Sequence, residues 1–465
     1  MPQSSWPATE TLFRNAKMAT AEADAAIISD FLVINGKIAG RGYGLMAPEN
    51  CAIVELEGRL VLPGGIDPHV HFNTPGFEER ESFATGSAFA AVGGITTVID
   101  MPCTSLPPVT SVPHLENKLR FIEHQSYVDF ALWGGVAGPL TTFDWHAAMR
   151  TLWDAGVVGF KTYALSGMPT FPQLTPTELL EVVGYAAEIG ALVGHHAEDA
   201  DLVQNLTDEL VRGGRTDTEA YYLSRPVKAE TQAIERAAKI TRATRARLHI
   251  VHVSTGAGAQ LIDDYRSLGT DISGETCPHY LAFSALDFLT RGSILKCAPV
   301  LKSPEHREQL WQALLSNKLA LVASDHAPCP PAQKQTGSIW TDYGGISGVG
   351  TLLPYLYSAG YRRGRLTLAR LVEITATAAA HRFGLFPRKG TLALDSDADF
   401  VVINEDAQTR IQGADFPSKG KLTPFEGHVF EGRIEQVYLR GNKIYDFQKG
   451  LSDTKQGQFI PRGMN

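Results

Sequence analysis

A chain of 465 residues exceeds what one ordinary hydrophobic core organises, so a large barrel or sheet unit with a smaller accessory unit is the starting expectation. Hydrophobic residues make up 44% of the chain and charged ones 20%, with no low-complexity tract or short repeat, which excludes a disordered or fibrous protein. The formal charge of -8 comes without any basic run, so nucleic acid and anionic membrane surfaces are excluded as partners and a small molecule is expected.

The first residues, MPQSSWPATETLFRNAKMAT, lack a basic region followed by an apolar run, and no window approaches about 18 uninterrupted apolar residues. A cytoplasmic location with no membrane segment is the expectation. The five cysteines (Cys51, Cys103, Cys277, Cys297 and Cys329) are scattered, odd in number and without a CxxC pair, as reduced thiols would be.

From about Ala25 to Leu62, short apolar stretches alternate with Gly and Asn, which predicts strands and turns and no helix. The middle of the chain then alternates strand-like and helix-like segments. Eight strands are predicted: His69 to Phe72, Thr96 to Met101, Val128 to Gly135, Val157 to Tyr163, Ala191 to His196, Leu248 to Ser254, Asp271 to Cys277 and Leu319 to Asp325. Segments such as TPTELLEVVGYAAEIG and KAETQAIERAAKITRATR carry helical spacing between them. Strand texture returns in KGTLALDSDADFVVINED and GRIEQVYLRGNKIYDF. The expected fold is therefore α/β: a (β/α)8 TIM barrel over residues 64–387, with a smaller β-sandwich domain formed by both termini, residues 1–63 and 388–465.

Barrel enzymes carry their chemistry at the carboxyl ends of the strands. Those ends hold His69 and His71, Lys161, His195 and His196, His252 and Asp325. A strand period of two sends His69 and His71 to one face, where both imidazoles can reach one ion. By the same alternation, only one of His195 and His196, and only one of His249 and His252, faces the barrel axis, and periodicity does not say which. Each residue alone is weak as a signal; their recurrence at five strand ends on one face is not.

With those residues in place, the chain resembles the cyclic-amidohydrolase branch of the amidohydrolase superfamily, which includes allantoinase, hydantoinase, dihydropyrimidinase and dihydroorotase. The resemblance runs from about Ala25 to GQFIPRG and rests on GGIDPHVHF, GGITTVIDMP, GVVGFKTY, VGHHAED, LHIVHVS, GETCPHYL, LKCAP, SDHAPCPP and GGISG, in that order. It implies two divalent metal ions, usually zinc, with cobalt or manganese as alternatives, bridged by a carboxylated lysine and by hydroxide. On this resemblance His69, His71 and Asp325 look like ligands of one ion and His196 and His252 of the other, with Lys161, N6-carboxylated, as the bridge. Asp325 is also implied as the catalytic residue that carries the proton to the leaving ring nitrogen. His195 and His249 are left as structural residues of the barrel shell. A free ammonium would repel two dications, whereas a lysine carbamate offers one anionic oxygen to each.

Dihydroorotases carry an arginine where Asn73 stands here and an asparagine where Cys103 stands, and both departures disfavour dihydroorotate. Dihydropyrimidinases and D-hydantoinases place a tyrosine five residues beyond the bridging lysine, where this chain has Ser166. Allantoinases are similar at more places, so the resemblance implies hydrolysis of allantoin to allantoate, with L-hydantoinase-like or dihydropyrimidinase activity as the alternative. Ser166, Cys297 and Ile346 match loop contacts to substrate, the last two through main-chain atoms. A homodimer or homotetramer is implied. A non-catalytic scaffold is disfavoured because every ligand position is filled, and a mononuclear deaminase because Lys161 is present.

Overall fold

The computed structural model describes residues 10–463, so the expected assignment of residues 1–9 and 464–465 to the terminal unit falls outside the described residues. Both ends of the chain build one nine-stranded sheet, in which Leu60–Pro63 pairs antiparallel with Phe400–Arg410 and so joins the two ends. It is a single hydrogen-bonded sheet that curls until its inner face closes on itself. Phe13 and Phe31 stack at 4.9 Å, and Phe400 meets Phe13 edge-on at 4.9 Å. Tyr438 stacks on Phe400 at 4.4 Å to complete the cluster, which gives this small domain a core of its own.

The first strand of this sheet, Glu10–Thr20, lies ahead of the region that the sequence marks as β. Register shifts between Phe13 and Ala16 and between Met18 and Thr20 break its alternation, so the inward residues Leu12, Phe13, Ala16, Met18 and Ala19 do not recur at every second place.

All eight expected barrel strands are present, with shifted ends. Hydrogen bonding runs through Gly65–Val70, Ile95–Asp100 and Asp129–Leu132 as one arc, and from Gly134–Gly135 through Phe160–Tyr163, Leu192–His196, Arg247–Ile250 and Asp271–Thr276 to Leu321–Val322 as another. The third strand is split at Trp133. The ring closes where Val70 bridges His326 and the His71 amide donates to the His326 carbonyl at 2.9 Å. Every residue of Gly65–Val70 and Ile95–Asp100 is buried, as expected for parallel strands covered on both faces. Helices cover the outside: Pro176–Glu188 starts at a Thr175–Glu178 capping box and buries Leu179, Val182, Val183 and Ala186, one stripe at helical spacing.

Inside the barrel, Ile66, Ile99, Trp133, Leu192, Val251 and Leu321 pack as an apolar filling. Each such side chain contributes about 1.5–3 kcal/mol on burial. Trp133 is accommodated because Gly194 lacks a side chain; a Cβ there would stand 2.7 Å from the indole. Its Nε1–H donates to the Pro68 carbonyl at 3.1 Å.

The carboxyl ends leave the ladder earlier than the sequence pattern suggests. The sixth strand stops at Ile250 rather than Ser254, and the eighth pairs only over Leu321–Val322. The residues that follow adopt left-handed backbone, with φ of 58° at Asn73, 40° at His252 and 48° at Asp325. That geometry costs about 1–3 kcal/mol at a non-glycine residue and persists where the surroundings impose it. Here it lies beside the residues with chemistry.

Candidate active site

His69 and His71 leave the first strand on one side, as their spacing predicts, and both meet Asp325 from the eighth. His69 Nε2 lies 3.3 Å and His71 Nε2 3.2 Å from the same Asp325 oxygen. Ligand atoms of the three residues all fall within 4.8 Å of one another, a grouping able to hold a metal ion. His196 and His252 form a second group, with His196 Nδ1 3.1 Å from His252 Nε2. The His252 ring stands 5.3 Å from that of His69, which makes the two groups neighbours.

Lys161, from the fourth strand, is fully buried, and its Nζ has no hydrogen-bond partner among the described residues. Burial pushes its ammonium down to about 8, although Cys103, Asp325 and Glu275 act in the opposite direction. Burial also holds His69 and His252 well below the usual imidazole range, so both present neutral rings with free lone pairs. Four imidazoles, a carboxylate and a buried lysine form a donor set that fits divalent cations once His71, which against burial Asp325 and Cys103 hold up at about 10, and Lys161 give up their protons.

An outer layer fixes these rings. Glu275 accepts from His69 Nδ1 at 2.6 Å with one oxygen and from His249 Nε2 at 3.0 Å with the other. Glu198 accepts from His196 Nε2 at 3.0 Å and from Arg225 at 2.6 Å. Asp67 accepts from the Ser324 amide at 3.0 Å and ties the first strand to the eighth. Such partners set the tautomer and aim of each histidine.

Of the doubled histidines, His195 turns outward to Thr162, with Nδ1 2.9 Å from its hydroxyl. His249 departs from the expectation of a shell residue: it faces the interior, with Nδ1 2.7 Å from Ser273 Oγ and Nε2 on Glu275. The physical reason is the left-handed turn at His252, which breaks the alternation that would have set His249 and His252 against each other.

The three expected substrate contacts have other partners. The Ser166 hydroxyl donates to the Phe171 carbonyl at 2.7 Å and accepts from the Met168 amide at 3.1 Å, which staples its own loop. Cys297 and Ile346 are buried; the Cys297 carbonyl accepts from Tyr221 at 3.2 Å and the Ile346 carbonyl from Ala327 at 2.9 Å. Asn73 is buried, and both atoms of its side-chain amide lack a partner among the described residues.

Glu275, Glu198, Arg225 and Tyr163 are missing from the sequence-based site. Glu275 had a usable signal: within DISGETC it alternates with Ser273 and puts a carboxylate near the carboxyl end of a barrel strand. Arg225 had none, since it reaches Glu198 across 27 residues of chain.

The Amidohydrolase family matches residues 60–444. The allantoinase of Solibacter usitatus is 38% identical over 441 residues, covering 94% of each chain. The L-hydantoinase of Paenarthrobacter aurescens is 33% identical over 458 residues, covering 97% of this chain and 98% of its own. Among solved structures, L-hydantoinase (dihydropyrimidinase) from Arthrobacter aurescens superposes with a TM-score of 0.92 at 32% identity, over 97% of this chain and 99% of that one. No helix among the described residues is long and apolar enough to cross a membrane. The chain belongs to the amidohydrolase family, an enzyme family that is generally metal-dependent, and within it to the cyclic amidohydrolases.

Proposed function

We propose that this protein hydrolyses allantoin to allantoate by opening a hydantoin-type ring. The observation that carries the proposal is the convergence of His69, His71 and Asp325 within 4.8 Å beside a buried, unpartnered Lys161 and the His196–His252 pair. In this reading His69, His71 and Asp325 would hold one divalent ion and His196 and His252 the other, and N6-carboxylated Lys161 would supply an anionic oxygen to each. Zinc is the first choice, and cobalt or manganese are alternatives. Bound there, such ions would acidify a water molecule and polarise the amide carbonyl.

The chain's own residues do the rest. Asp325 accepts the proton of the attacking water and returns it to the ring nitrogen as the C–N bond breaks. Glu275 holds Nδ1 of His69 and Glu198 holds Nε2 of His196, which leaves His69 Nε2 and His196 Nδ1 free as ligand atoms. Ser166, Cys297 and Ile346 are assigned to the substrate pocket, the last two through backbone groups. The neutral, unpartnered amide of Asn73 suits an uncharged ring better than an acidic one.

Allantoin is favoured by the relatives named allantoinase at 35–38% identity. A 5-substituted hydantoin is the second reading, favoured by the likeness to L-hydantoinase. The enzyme is proposed to be a cytoplasmic homodimer or homotetramer, with residues 64–387 as its catalytic unit and residues 1–63 and 388–465 as its accessory domain. Initial rates of metal-loaded protein on allantoin, a 5-substituted hydantoin, dihydrouracil and dihydroorotate test the function. Allantoin is expected to be turned over fastest; turnover of hydantoin with none of allantoin transfers the assignment to the second reading.

A further inference from the structure

When a nucleophile adds to an amide carbonyl, negative charge gathers on the carbonyl oxygen, and a fixed hydrogen-bond donor aimed at that oxygen lowers the barrier. Ser166 is not free for this task, because its hydroxyl already donates to the Phe171 carbonyl and its backbone amide is directed to Gln173. Tyr163 is differently placed. It lies two residues beyond Lys161 on the fourth strand, hence on the same inward face. Its ring stacks on that of His196 at 5.2 Å and 29°, sits 4.8 Å from Lys161 Nζ, and meets Phe171 edge-on at 5.8 Å. Held on those sides, the phenol has little freedom to swing. Tyr163 is also only partly buried, whereas Lys161 and Cys103 beneath it are sealed.

Its hydroxyl has a single hydrogen-bond partner among the described residues, Cys103 Sγ at 3.2 Å. Sulfur is a weak acceptor, so a developing oxyanion readily draws the O–H away from it. Cys103 Sγ in turn lies 3.9 Å from Nδ1 of His71, the ring whose other nitrogen faces Asp325. The phenol therefore stands beside the His71 ring, at the ring nitrogen opposite the one that faces Asp325.

We propose that Tyr163 is a further catalytic residue, whose hydroxyl donates to the carbonyl oxygen of the scissile amide, with Cys103 as the positioning residue that parks the O–H between turnovers. The inference rests on the proposed cyclic-amide hydrolysis and adds to it a donor that the chain supplies itself.

The Tyr163→Phe variant keeps the ring stack and removes only the O–H. On whichever of the four rings the wild type opens, kcat is expected to fall about 10²-fold, the lower end for losing one such donor. KM, metal content per chain and melting temperature should match the wild type. Cys103→Ala, which frees the phenol, should lower kcat by less, and Cys103→Ser should recover part of that loss. An independent readout is the infrared carbonyl band of hydantoin bound to Asp325→Asn protein: it should move to lower wavenumber, and the shift should shrink when Tyr163→Phe is added. Unchanged kcat and an unchanged band in Tyr163→Phe overturn the proposal. Loss of metal together with rate also overturns it, because Tyr163 would then act only as a ring packed on His196. If the wild type opens none of the rings, the parent reading falls and the inference with it; if only the variants behave unexpectedly, the inference falls alone.

Discussion

Two buried clusters of charge lie in this molecule, and either could be taken for a metal site. Where the barrel meets the terminal sheet, Asp129, Asp397 and Asp399 come within 4.8 Å of one another, as His69, His71 and Asp325 do at the carboxyl ends of the strands. The first group is already balanced: Lys389 Nζ stands 2.5 Å from Asp129, 2.9 Å from Asp397 and 2.6 Å from Asp399, and Arg440 also pairs with Asp129. Beside the second lie a lysine that touches no carboxylate and a His252 Nδ1 with no partner among the described residues. Removing one partner from a satisfied network costs about 3–5 kcal/mol, whereas a buried ion already without a partner costs several kcal/mol unless something binds. Partners, and not proximity of ligand-type atoms, separate a staple from a site.

Substitutions can break this contrast. The largest effect is expected for Asp325→Asn, which should lower kcat by about 10³-fold, within the usual span for a lost general base, while the melting temperature holds. Initial rates and a thermal melt check it; retained activity would remove the proton-carrying role. Next, Lys389→Met strands three carboxylates and should cost about 3–5 kcal/mol in urea unfolding, with kcat per folded molecule unchanged. The same change at the other cluster, Lys161→Met, should leave metal-free protein as stable as before or more so, because it removes a buried amine that has no counter-ion. Elemental analysis of that variant should show fewer than two ions per chain. Equal stability losses at Lys161 and Lys389 would erase the distinction.

The smallest effect concerns Glu198. Burial raises its carboxyl, but Arg225 and the hydrogen bond from His196 outweigh that and hold it down to about 2, against an ordinary value of 4.5. Its contribution to stability is therefore present in full above about 4.5 and is lost as pH falls toward 2. Urea unfolding of metal-free wild type and Glu198→Gln should show a gap at neutral pH that narrows through this window. A gap independent of pH would mean that the carboxylate charge is not what holds Arg225.

Local signals carried much of this structure. Alternating strand and helix spacing marked eight barrel strands, and the long helices Pro176–Glu188 and Val227–Thr244 fall where the apolar stripes put them. The HxH pair, Lys161 and Asp325 stood out because each sits at or just past a strand end, where a barrel exposes its side chains, whereas the choice of His196 over His195 and of His252 over His249 came from the family resemblance and not from position. What the sequence concealed depends on departures from period or on distance. Bulges hid the strand Glu10–Thr20, and left-handed backbone at His252 made His249 look like a shell residue. Lys389 meets Asp129 across 260 residues, a pairing with no local pattern to betray it.

The central claim is that Lys161 becomes an anionic bridge between two cations. Anomalous diffraction at the zinc edge, from crystals grown with zinc and bicarbonate, tests it most directly. The account predicts two peaks, one among His69, His71 and Asp325 and one at His196 and His252, with density from Lys161 Nζ continuing into a carboxylate that touches both. One peak, or two with Lys161 ending as a bare amine directed elsewhere, would contradict it.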